Sequence, residues 1–545
     1  MGQTRYVLSF ALFSLALPEI LAGQNGNPPA PAPSQAQATL TYAPAAQPSA
    51  AIPAPIVEAQ KLLRSGKVTE SEAAYNAILK EDPKSAFAYV GLTRVYLQER
   101  RVADADAAAA KARELAPELD SAKVALAEVR FREGRIPEAQ DLVTPLVKAN
   151  TAEARAYFCL GKIYWASSYY QHGKLSLDLA HQKDADDPEI LFRWLTTLPA
   201  KEKVVVLKGN SEAEGKNDSE EGEGQDTNAE PEGGNRKGCR LVSTATESHQ
   251  EMERLLYGAQ RIRGYGLKVD INGTKGRLLL DSGASGILIN RKMAQKAGVE
   301  TMVKTDIHGI GDKGPVAGYV GTSNSIKIGN LEFQGCLIAV EDRNSVAEED
   351  GIIGPDVFNK FLVDIDFPNY RLNLTPLPPM PPPSDSEKAL VAKYPNLARF
   401  RDRIIPKEFQ EFTPVYRFGH MLLIPTRINE LPSKLFLIDT GAFSDTISPA
   451  AAREATKVRS DTDMRVKGIS GNVNNVFSAD ELTLTFSHFK QPAKDIVAFD
   501  TTSISNGAGV EISGLLGFAM LYQMDLKIDY RDGLVDFGYN PNRFH

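Results

Sequence analysis

The sequence predicts a multidomain α + β protein in which an α-helical solenoid precedes a bilobal all-β region. In the first half, between residues 53 and 200, apolar residues recur at intervals of three and four, the spacing of amphipathic helices. In the second half, short apolar runs end in Gly-containing turns, as β-strands do. One series of these signals occurs twice, and two lobes formed by a duplicated unit are the simplest explanation.

Length and charge limit the classes of protein that this chain can form. A chain of 545 residues is too long for one core, and at about 150 residues per domain roughly three or four units are expected. Its 62 basic and 69 acidic residues nearly balance, and no basic stripe with interleaved aromatic residues occurs. Nucleic acid is therefore not expected as a partner.

The helical half shows an internal repeat. Pro83 and Pro117 lie 34 residues apart, and Gly66 and Gly134 lie twice that distance apart. This period resembles that of the tetratricopeptide repeat family, and two stretches fit its pattern: Tyr89, Leu92, Tyr96, Ala105, Ala112 and Pro117, then Tyr157, Leu160, Gly161 and Tyr164. The resemblance implies about four repeats over residues 53–200, with a concave face for a protein partner.

The first residues are typical of a secretory signal peptide. Arg5 precedes an apolar stretch from Tyr6 to Leu17, and small residues follow at Ala22 and Gly23. The stretch is too short to span a membrane, and no Cys follows Gly23 directly, which argues against a lipid anchor there. We expect a signal peptide at residues 1–22 and a secreted or periplasmic mature protein without an integral membrane span. An uncleaved amphiphilic tail is the alternative.

Composition also predicts the linkers. Residues 23–52 are rich in Pro and Ala and form an extended linker. Residues 209–238 are rich in Glu, Asp, Gly and Asn and nearly free of apolar residues, which predicts a disordered acidic linker. Residues 376–410 begin Pro-rich and continue as a predicted helix from Glu387 to Phe409, and they connect a first lobe at 255–375 to a second at 411–541.

Two Asp-containing turns are at the centre of the duplicated pattern. Asp-Ser-Gly at residues 281–283 and Asp-Thr-Gly at residues 439–441 each follow an apolar run. Further downstream, two apolar residues and a Gly end at Gly354 in the first copy and at Gly517 in the second. An acid lies twelve residues beyond each of these glycines. Both acidic turns therefore lie between strands of equivalent position.

A carboxylate at the end of an apolar strand predicts more than a turn, because burying it costs several kcal/mol unless partners or protonation relieve it. If the lobes pack about a pseudo-twofold axis, the carboxyls of Asp281 and Asp439 share one site. Like charges that close cannot both ionise, so one proton is held between them. The ionised member then activates a water molecule, and the protonated member hydrogen-bonds the attacked carbonyl oxygen. A single triplet of this kind is more often a solvated turn.

These motifs resemble those of aspartic proteases, of the pepsin-like and retropepsin-like kinds, in the two-lobed single-chain form. The resemblance extends over roughly residues 255 to 541 and implies an aspartic-protease-like region built from double-ψ or retropepsin-like barrels. It makes Asp281 and Asp439 the catalytic pair. It assigns interlock and support of the two turns to six further residues: Ser282, Gly283, Thr440, Gly441, Gly354 and Gly517.

One position departs from the family pattern. The family often has a hydroxyl residue two places after the turn Gly, and Ser285 matches it in the first motif. The second motif has Phe443 there, followed by Ser444, which we expect to substitute.

The resemblance also implies a glycine-rich flap over the cleft in each lobe. The first runs from His308 to Tyr319, and the second runs from Lys467 to Asn472. Such a lid excludes water and holds an extended peptide by backbone hydrogen bonds. The expected substrate-binding residues are Gly309, Ile310, Gly311, Gly468, Ile469 and Gly471. A plain flexible hairpin is the alternative for each.

Other chemistries find little support. Residues 309–314 match the dinucleotide pattern G-x-G-x-x-G, but Pro315 and further glycines follow where a helix must begin, so we reject a nucleotide site. The sequence has neither an H-E-x-x-H pair nor a G-x-S-x-G elbow. The three cysteines, Cys159, Cys239 and Cys336, lie far apart and predict neither a disulfide framework nor a metal site. We expect no metal and no cofactor.

The leading functional hypothesis is an aspartic endopeptidase that hydrolyses peptide bonds, with the helical repeats binding a protein. The alternative is a non-catalytic extracytoplasmic binding or assembly protein with a protease-like fold. A third possibility is that each lobe pairs with another chain, but two motifs in one chain favour intramolecular pairing.

Overall fold

The structure, a computed structural model, describes residues 52–199 and 239–539, apart from residues 258–260, 344–345, 348 and 462–463. The predicted signal peptide at 1–22, nearly all of the linker at 23–52 and the acidic linker at 209–238 lie outside the described residues. Among the residues that are described, no helix is long and apolar enough to cross a bilayer.

Residues 52–199, all of which are described, form nine consecutive helices. The second helix of each of the first four pairs begins at residue 68, 102, 136 or 170, so the unit recurs every 34 residues. The predicted helical solenoid is confirmed. Its helices are α1 (Ala54–Arg64), α2 (Val68–Glu81), α3 (Ala86–Gln98), α4 (Val102–Leu115), α5 (Asp120–Arg132), α6 (Ile136–Lys148), α7 (Ala154–Ala166), α8 (Tyr170–Lys183) and α9 (Pro188–Thr196).

The first lobe is built mainly from strands. They are β1 (Arg240–Leu241), β2 (Ser248–Glu251), β3 (Glu253–Tyr257), β4 (Arg261–Ile271), β5 (Thr274–Leu280), β6 (Ile287–Asn290), β7 (Thr301–Ile307), β8 (Val316–Ser323), β9 (Ile326–Ile328), β10 (Leu331–Gln334), β11 (Cys336–Glu341), β12 (Gly351–Ile353), β13 (Phe361–Asp366) and β14 (Arg371–Pro376). The helix α10 (Arg291–Lys296) follows β6, and its N-terminus is capped by the Asn290 side chain.

The second lobe repeats this arrangement. Its strands are β15 (Thr413–Pro414), β16 (Tyr416–Phe418), β17 (Met421–Ile428), β18 (Lys434–Asp439), β19 (Thr446–Ile447), β20 (Val458–Ser460), β21 (Lys467–Gly468), β22 (Gly471–Asn472), β23 (Val476–Ala479), β24 (Leu482–Phe486), β25 (Phe489–Ala493), β26 (Ile496–Phe499), β27 (Gly514–Gly517), β28 (Met524–Asp529) and β29 (Leu534–Tyr539). The helix α11 (Asp385–Lys393) precedes them, and α12 (Pro449–Ala455), α13 (Thr502–Ala508) and α14 (Phe518–Leu521) lie among them.

Sheet topology shows the duplication directly. The first lobe has the order β7-β8-β11-β6-β12-β5-β4-β9-β10, with β1 beside β10 and β3 beside β4. The second lobe has the order β20-β23-β26-β19-β27-β18-β17-β24-β25, with β16 beside β17. The two orders correspond strand by strand, so the predicted bilobal all-β region is confirmed.

A third sheet joins the lobes in the order β15-β29-β28-β13-β14-β2. Its central strands, β13 and β28, are antiparallel and come from different lobes, and Asp364 pairs with Lys527 in their register. These two residues occupy equivalent positions of the two copies, each lying two residues before the repeated acid. A pseudo-twofold axis therefore passes through this pair, as a duplicated unit requires.

Two predicted boundaries need correction. Strands β1 and β2 pair with β10 and β14, so the sheets take in residues before 255, the predicted start of the first lobe. The helix predicted from Glu387 to Phe409 ends at Lys393, and short 3₁₀ turns follow at Pro395–Arg399 and Lys407–Phe409. Pro395 disfavours helical geometry at the residue before it, which explains the early end.

A disulfide joins Cys239 to Cys336, a pairing that the sequence analysis did not anticipate. The cysteines are 97 residues apart and come together because β1 pairs with β10, next to the start of β11. The number and spacing of the cysteines could not predict this disulfide, because the pairing of strands brings the two residues together. Cys159 is a free and buried cysteine in α7.

The helical solenoid packs directly on the second lobe. Buried side chains of α5 to α8 form one core with Leu435, Leu437 and Leu515 from β18 and β27. Arg132 donates from its guanidinium to the Ser505 carbonyl at 3.1 Å and to the side-chain oxygen of Asn506 at 2.6 Å. The solenoid is thus part of the body that carries the second lobe.

This packing predicts that Gly134→Ala destabilises the protein more than Gly66→Ala does. Both glycines have a φ of +75°, so both substitutions introduce left-handed strain of about 1–2 kcal/mol. At Gly134 an added Cβ would also lie 3.1 Å from Leu435 Cδ1 and 3.2 Å from the Glu511 carbonyl oxygen, whereas nothing lies within 4 Å at Gly66. Thermal unfolding of the two matched variants measures the difference. Equal losses of Tm would contradict the observed docking.

Candidate active site

The two predicted catalytic acids lie at the ends of equivalent inner strands. Asp281 directly follows β5, and its N–H donates to the Ile353 carbonyl of β12 at 3.0 Å. Asp439 is the last residue of β18 and pairs with Gly517 of β27. Asp439 is only 7 % exposed, and Asp281 is partly buried. Each acid therefore stands beside the strand that leads to its downstream glycine.

Four hydrogen bonds interlock the two acidic turns. Ser282 Oγ accepts the Thr440 N–H at 3.0 Å and donates to the Ile438 carbonyl at 2.8 Å. Thr440 Oγ1 accepts the Ser282 N–H at 3.0 Å and donates to the Leu280 carbonyl at 3.1 Å. Both hydroxyl residues are buried. The bonds are reciprocal, so the turns of the two lobes are held face to face.

The turn glycines bring each backbone against the opposite acid. A Cβ added to Gly283 would lie 2.8 Å from the Asp439 Cγ, and one added to Gly441 would lie 2.3 Å from the Asp281 Cγ. The Gly283 N–H donates to Asp281 Oδ1 at 2.8 Å, and the Gly441 N–H donates to Asp439 Oδ1 at 3.0 Å. Any larger residue would push the carboxyls apart.

The electrostatics of the pair favour a shared proton. Burial raises the pKa of Asp281 well above its ordinary value, and the neighbouring charge of Asp439 raises this pKa further. Burial also raises the pKa of Asp439, but N–H donation from Ala442 and Gly441 and a hydrogen bond from Asp281 oppose the rise. The two carboxyls thus interact directly, and their surroundings favour one shared proton over two negative charges.

The downstream glycines support the turns from behind. The Gly354 N–H donates to the Gly286 carbonyl at 2.8 Å, and the Gly517 N–H donates to Asp445 Oδ1 at 2.8 Å. A Cβ on either glycine would lie 2.4 Å from a carbonyl oxygen of its own acidic turn. Only glycine allows the support strand to approach so closely.

The two lobes use different side chains at the position where the second motif departs from the family pattern. In the first lobe Asp356 accepts the Gly286 N–H at 2.9 Å and the Ser285 hydroxyl at 3.2 Å. In the second lobe Phe443 is 40 % exposed, and the carboxylate that holds the support glycine is that of Asp445. We expected Ser444 to take this role, but the side chain that bonds the turn to the support strand belongs to Asp445, one residue further on.

Both predicted flaps are hairpins, and their tips touch. The Ser470 N–H donates to the Ile310 carbonyl at 3.0 Å, the Lys313 N–H donates to the Ser470 carbonyl at 3.0 Å, and the Gly309 N–H donates to Ser470 Oγ at 3.2 Å. Residues 309–314 lead into strand β8 and not into a helix, in keeping with the rejected nucleotide site.

The flap glycines allow the two hairpins to cross. A Cβ on Gly311 would lie 2.4 Å from the Ser470 carbonyl carbon, and one on Gly468 would lie 2.2 Å from the Ile310 carbonyl oxygen. A Cβ on Gly471 would lie 2.8 Å from the Lys313 side chain. Ile310 packs on the core that the second lobe shares with the solenoid, and Ile469 packs on the first lobe. Each flap therefore reaches over to the opposite lobe.

Sequence reasoning missed two aromatic side chains at the site. His420 lies in the turn between β16 and β17, and its Nε2 is 3.1 Å from the Gly283 carbonyl oxygen. Tyr530 is buried, and its pKa is raised by burial and by the nearby Asp356 and Asp281. Tyr530 directly follows Asp529, and Phe367 occupies the equivalent position after Asp366 in the first copy. The duplication therefore identifies the position of Tyr530 but not its proximity to Asp281. No motif identified His420.

A comparison with known families agrees with this geometry. Residues 267–357 match the family model described as aspartyl protease, a segment that contains Asp281, the first flap and Gly354. The β-rich region is aspartic-protease-like. No match was found among curated proteins.

Solved structures resembling the aspartic-protease-like region include two aspartic proteases. A retropepsin-like aspartic protease from Rickettsia conorii has 19 % sequence identity and a TM-score of 0.19, and the match covers 25 % of this chain and 94 % of that one. The aspartic proteinase from Irpex lacteus has 14 % identity and a TM-score of 0.34, covering 55 % of this chain and 98 % of that one.

In the described parts of the chain, no group of three or more His, Cys, Asp or Glu side chains is arranged to hold a metal ion.

The interlock predicts a large effect of removing either hydroxyl. Ser282→Ala leaves the buried Thr440 N–H and the Ile438 carbonyl without their Ser282 partner. At about 1–3 kcal/mol for each of the two unsatisfied groups, the loss should be about 2–6 kcal/mol. Urea unfolding measures it. Thr440→Ser keeps the hydroxyl and is the matched control, expected to lose far less. A Ser282→Ala variant as stable as the control would contradict the interlock.

Asp445 predicts a pH-dependent stability difference. Burial raises the pKa of Asp445 from 3.8 to about 7, so the folded state holds a proton that the unfolded state releases. The stability from that proton is complete below pH about 4 and is lost as the pH rises through about 7. Asp445→Asn does not ionise and keeps an oxygen for the Gly517 N–H. Urea unfolding should show that the variant becomes more stable relative to the parent protein as the pH rises between these values. A stability difference that does not change with pH would contradict this pKa shift.

Proposed function

We propose that this protein is an aspartic endopeptidase whose catalytic pair is Asp281 and Asp439. The observation that carries the proposal is the close approach of two carboxyls, one buried and one partly buried, on turns locked together by Ser282 and Thr440. A buried acid pair that retains one proton is suited to general acid and base catalysis, because one member donates while the other accepts. A scaffold protein would have no physical need for it.

The two acids take different roles in the proposed reaction. Asp439 is assigned the role of the ionised member, and it removes a proton from a water molecule as the water oxygen attacks the peptide carbonyl carbon. Asp281 gives its proton to the carbonyl oxygen, so a neutral gem-diol forms. Asp439 then protonates the amide nitrogen, a gem-diol hydroxyl returns its proton to Asp281, and the C–N bond breaks. The acid pair is thereby regenerated without a covalent intermediate.

The flaps favour an extended peptide as the substrate. Backbone groups of Gly309, Ile310 and Lys313 bond Ser470 of the opposite flap. A bound strand would offer the same backbone donors and acceptors, so it would replace these flap contacts with its own. Flap opening costs those bonds, each worth about 0.5–1.5 kcal/mol, before the substrate restores them. A flexible or unfolded segment meets this requirement better than a folded surface.

The helical solenoid is proposed to bind a protein near the catalytic cleft. Its first two helix pairs have a core of their own, formed around Tyr75, Leu92 and Val95, while its later helices share a core with the second lobe. A partner bound by the solenoid would therefore stay at a fixed position relative to the flaps. The chemical nature of that partner is left open.

A secreted or periplasmic location is proposed from the signal-like N-terminus. The disulfide between Cys239 and Cys336 supports it, because disulfides persist in oxidising compartments and are rare in the cytosol.

Replacing either acid tests the proposal. Asp281→Asn and Asp439→Asn should each reduce cleavage of an unfolded casein substrate by about a hundredfold to ten thousandfold, the range for loss of general acid or base catalysis. The matched control is Asp385→Asn at the start of α11, where the carboxylate is 99 % exposed; it should cleave at the parental rate. A peptide with a statine group should inhibit the parent protein.

The outcome also separates the enzyme from a binding protein with a protease-like fold. Cleavage that survives in either active-site variant would remove the acid pair from the mechanism. Absence of cleavage by the parent protein between acidic and neutral pH would favour the non-catalytic alternative.

A further inference from the structure

A histidine from the second lobe reaches the catalytic turn of the first lobe. His420 Nε2 lies 3.1 Å from the Gly283 carbonyl oxygen, and His420 is half-buried. A carbonyl oxygen only accepts, so Nε2 must carry the hydrogen in the neutral ring, and Nδ1 is left as an acceptor. The peptide unit that His420 bonds joins Gly283 to Ala284, in the turn that follows Asp281.

That peptide unit also acts on the catalytic acid. The Gly283 N–H donates to Asp281 Oδ1 at 2.8 Å, the Ala284 N–H donates to the Asp281 main-chain carbonyl at 3.2 Å, and both N–H groups favour the ionised form of the Asp281 carboxyl. A donor on the Gly283 carbonyl fixes the plane of the peptide and thereby the direction of the Ala284 N–H. His420 is thus connected to Asp281 through one peptide group, without touching the acid itself.

The turn that carries His420 is held on two sides. Arg417 donates to the Tyr530 carbonyl and to the hydroxyl of Tyr170 in α8, the latter at 3.1 Å. Phe418 packs against Phe131 of α5, with ring centroids 6.1 Å apart. The ring therefore stays in place without needing the bond to Gly283 to position it.

Charged groups surround the ring. Asp356 faces it from the support segment of the first lobe, Asp439 from β18 and Arg417 from β16. Burial lowers the pKa of His420, and Arg417 adds to this, while the two carboxylates and the bond to Gly283 oppose it. The ring is consequently neutral at neutral pH and gains a positive charge beside Asp439 on acidification.

We propose that His420 is a positioning residue of the active site, which holds the Gly283 carbonyl and, when protonated in acid, favours the ionised state of the catalytic pair. The proposal rests on the endopeptidase function proposed above. Loss of the hydrogen bond misaligns the turn and slows turnover without affecting the flaps, which bind the substrate. Loss of the charge raises the pH at which the pair first ionises.

Two substitutions separate these effects. His420→Phe removes both the donor and the charge, whereas His420→Gln keeps a donor in place of Nε2 and removes only the charge. For His420→Phe we expect kcat to fall about tenfold, the worth of one strong hydrogen bond, with KM within about twofold. His420→Gln should restore kcat to within about threefold of the parent. In both, the acid limb of the kcat/KM profile should move to higher pH by about half a unit.

The exposed His488, in the turn between β24 and β25, provides the matched control, because His488→Gln makes the same chemical change away from the turn. The control should keep the parental kcat and pH profile. Parental kcat in His420→Phe, or an equal loss in His420→Gln, overturns the positioning role, and an unshifted acid limb in both overturns the role of the charge. If His420→Phe fails to fold, His420→Ala takes its place in the same comparison.

Failure of the proposed function is distinguishable from failure of this inference. If the parent protein cleaves nothing, the titration of the catalytic carboxyls is followed by NMR in protein labelled with ¹³C at the Asp carboxyls, with Asp281→Asn and Asp439→Asn identifying the signals. A titration midpoint that rises in His420→Gln supports the inference even for an inactive protein. An unchanged midpoint overturns it.

Discussion

The structure depends on one constraint, the burial of two carboxyls against each other at the seam between the lobes. Such a pair is tolerated only if the backbone on both sides is held still and one proton is retained. The reciprocal bonds of Ser282 and Thr440 meet the first condition. The second follows from burial and the proximity of Asp281 to Asp439. The third sheet, with Asp364 opposite Lys527 on the pseudo-twofold axis, orients the lobes so that the turns can meet.

The helical solenoid contributes to this constraint and is not a separate adaptor. Arg417 bonds both the Tyr170 hydroxyl of the solenoid and the Tyr530 carbonyl of the second lobe. Tyr530 in turn lies close enough to Asp281 and Asp356 for their charges to raise its pKa. A protein bound to the solenoid would therefore be connected to Asp281 through these few contacts.

The repeated features of this fold were predictable from sequence, and the unique ones were not. The acidic turns and glycines recur at matched spacing, so duplication exposes them, and the 34-residue period of the solenoid is likewise a repeated signal. His420 and the Cys239–Cys336 disulfide each occur once and act through contacts between strands far apart in sequence. No local pattern encodes such contacts, because strand register and lobe packing create them. The helix α11 also ends earlier than predicted, because the connection between the lobes has no repeated pattern that would show where a helix ends.

Single-chain duplication also explains why the two acids differ. In a symmetric pair of identical lobes, both carboxyls would see the same surroundings, and the shared proton would have no preferred site. Here each acid accepts backbone N–H bonds from its own turn, but Asp439 faces His420 while Asp281 lies towards Tyr530. The support glycine bonds a carbonyl in the first lobe and the Asp445 carboxylate in the second. These differences give the two carboxyls unequal surroundings, so divergence of the two copies removes the symmetry that a pair of identical lobes would have.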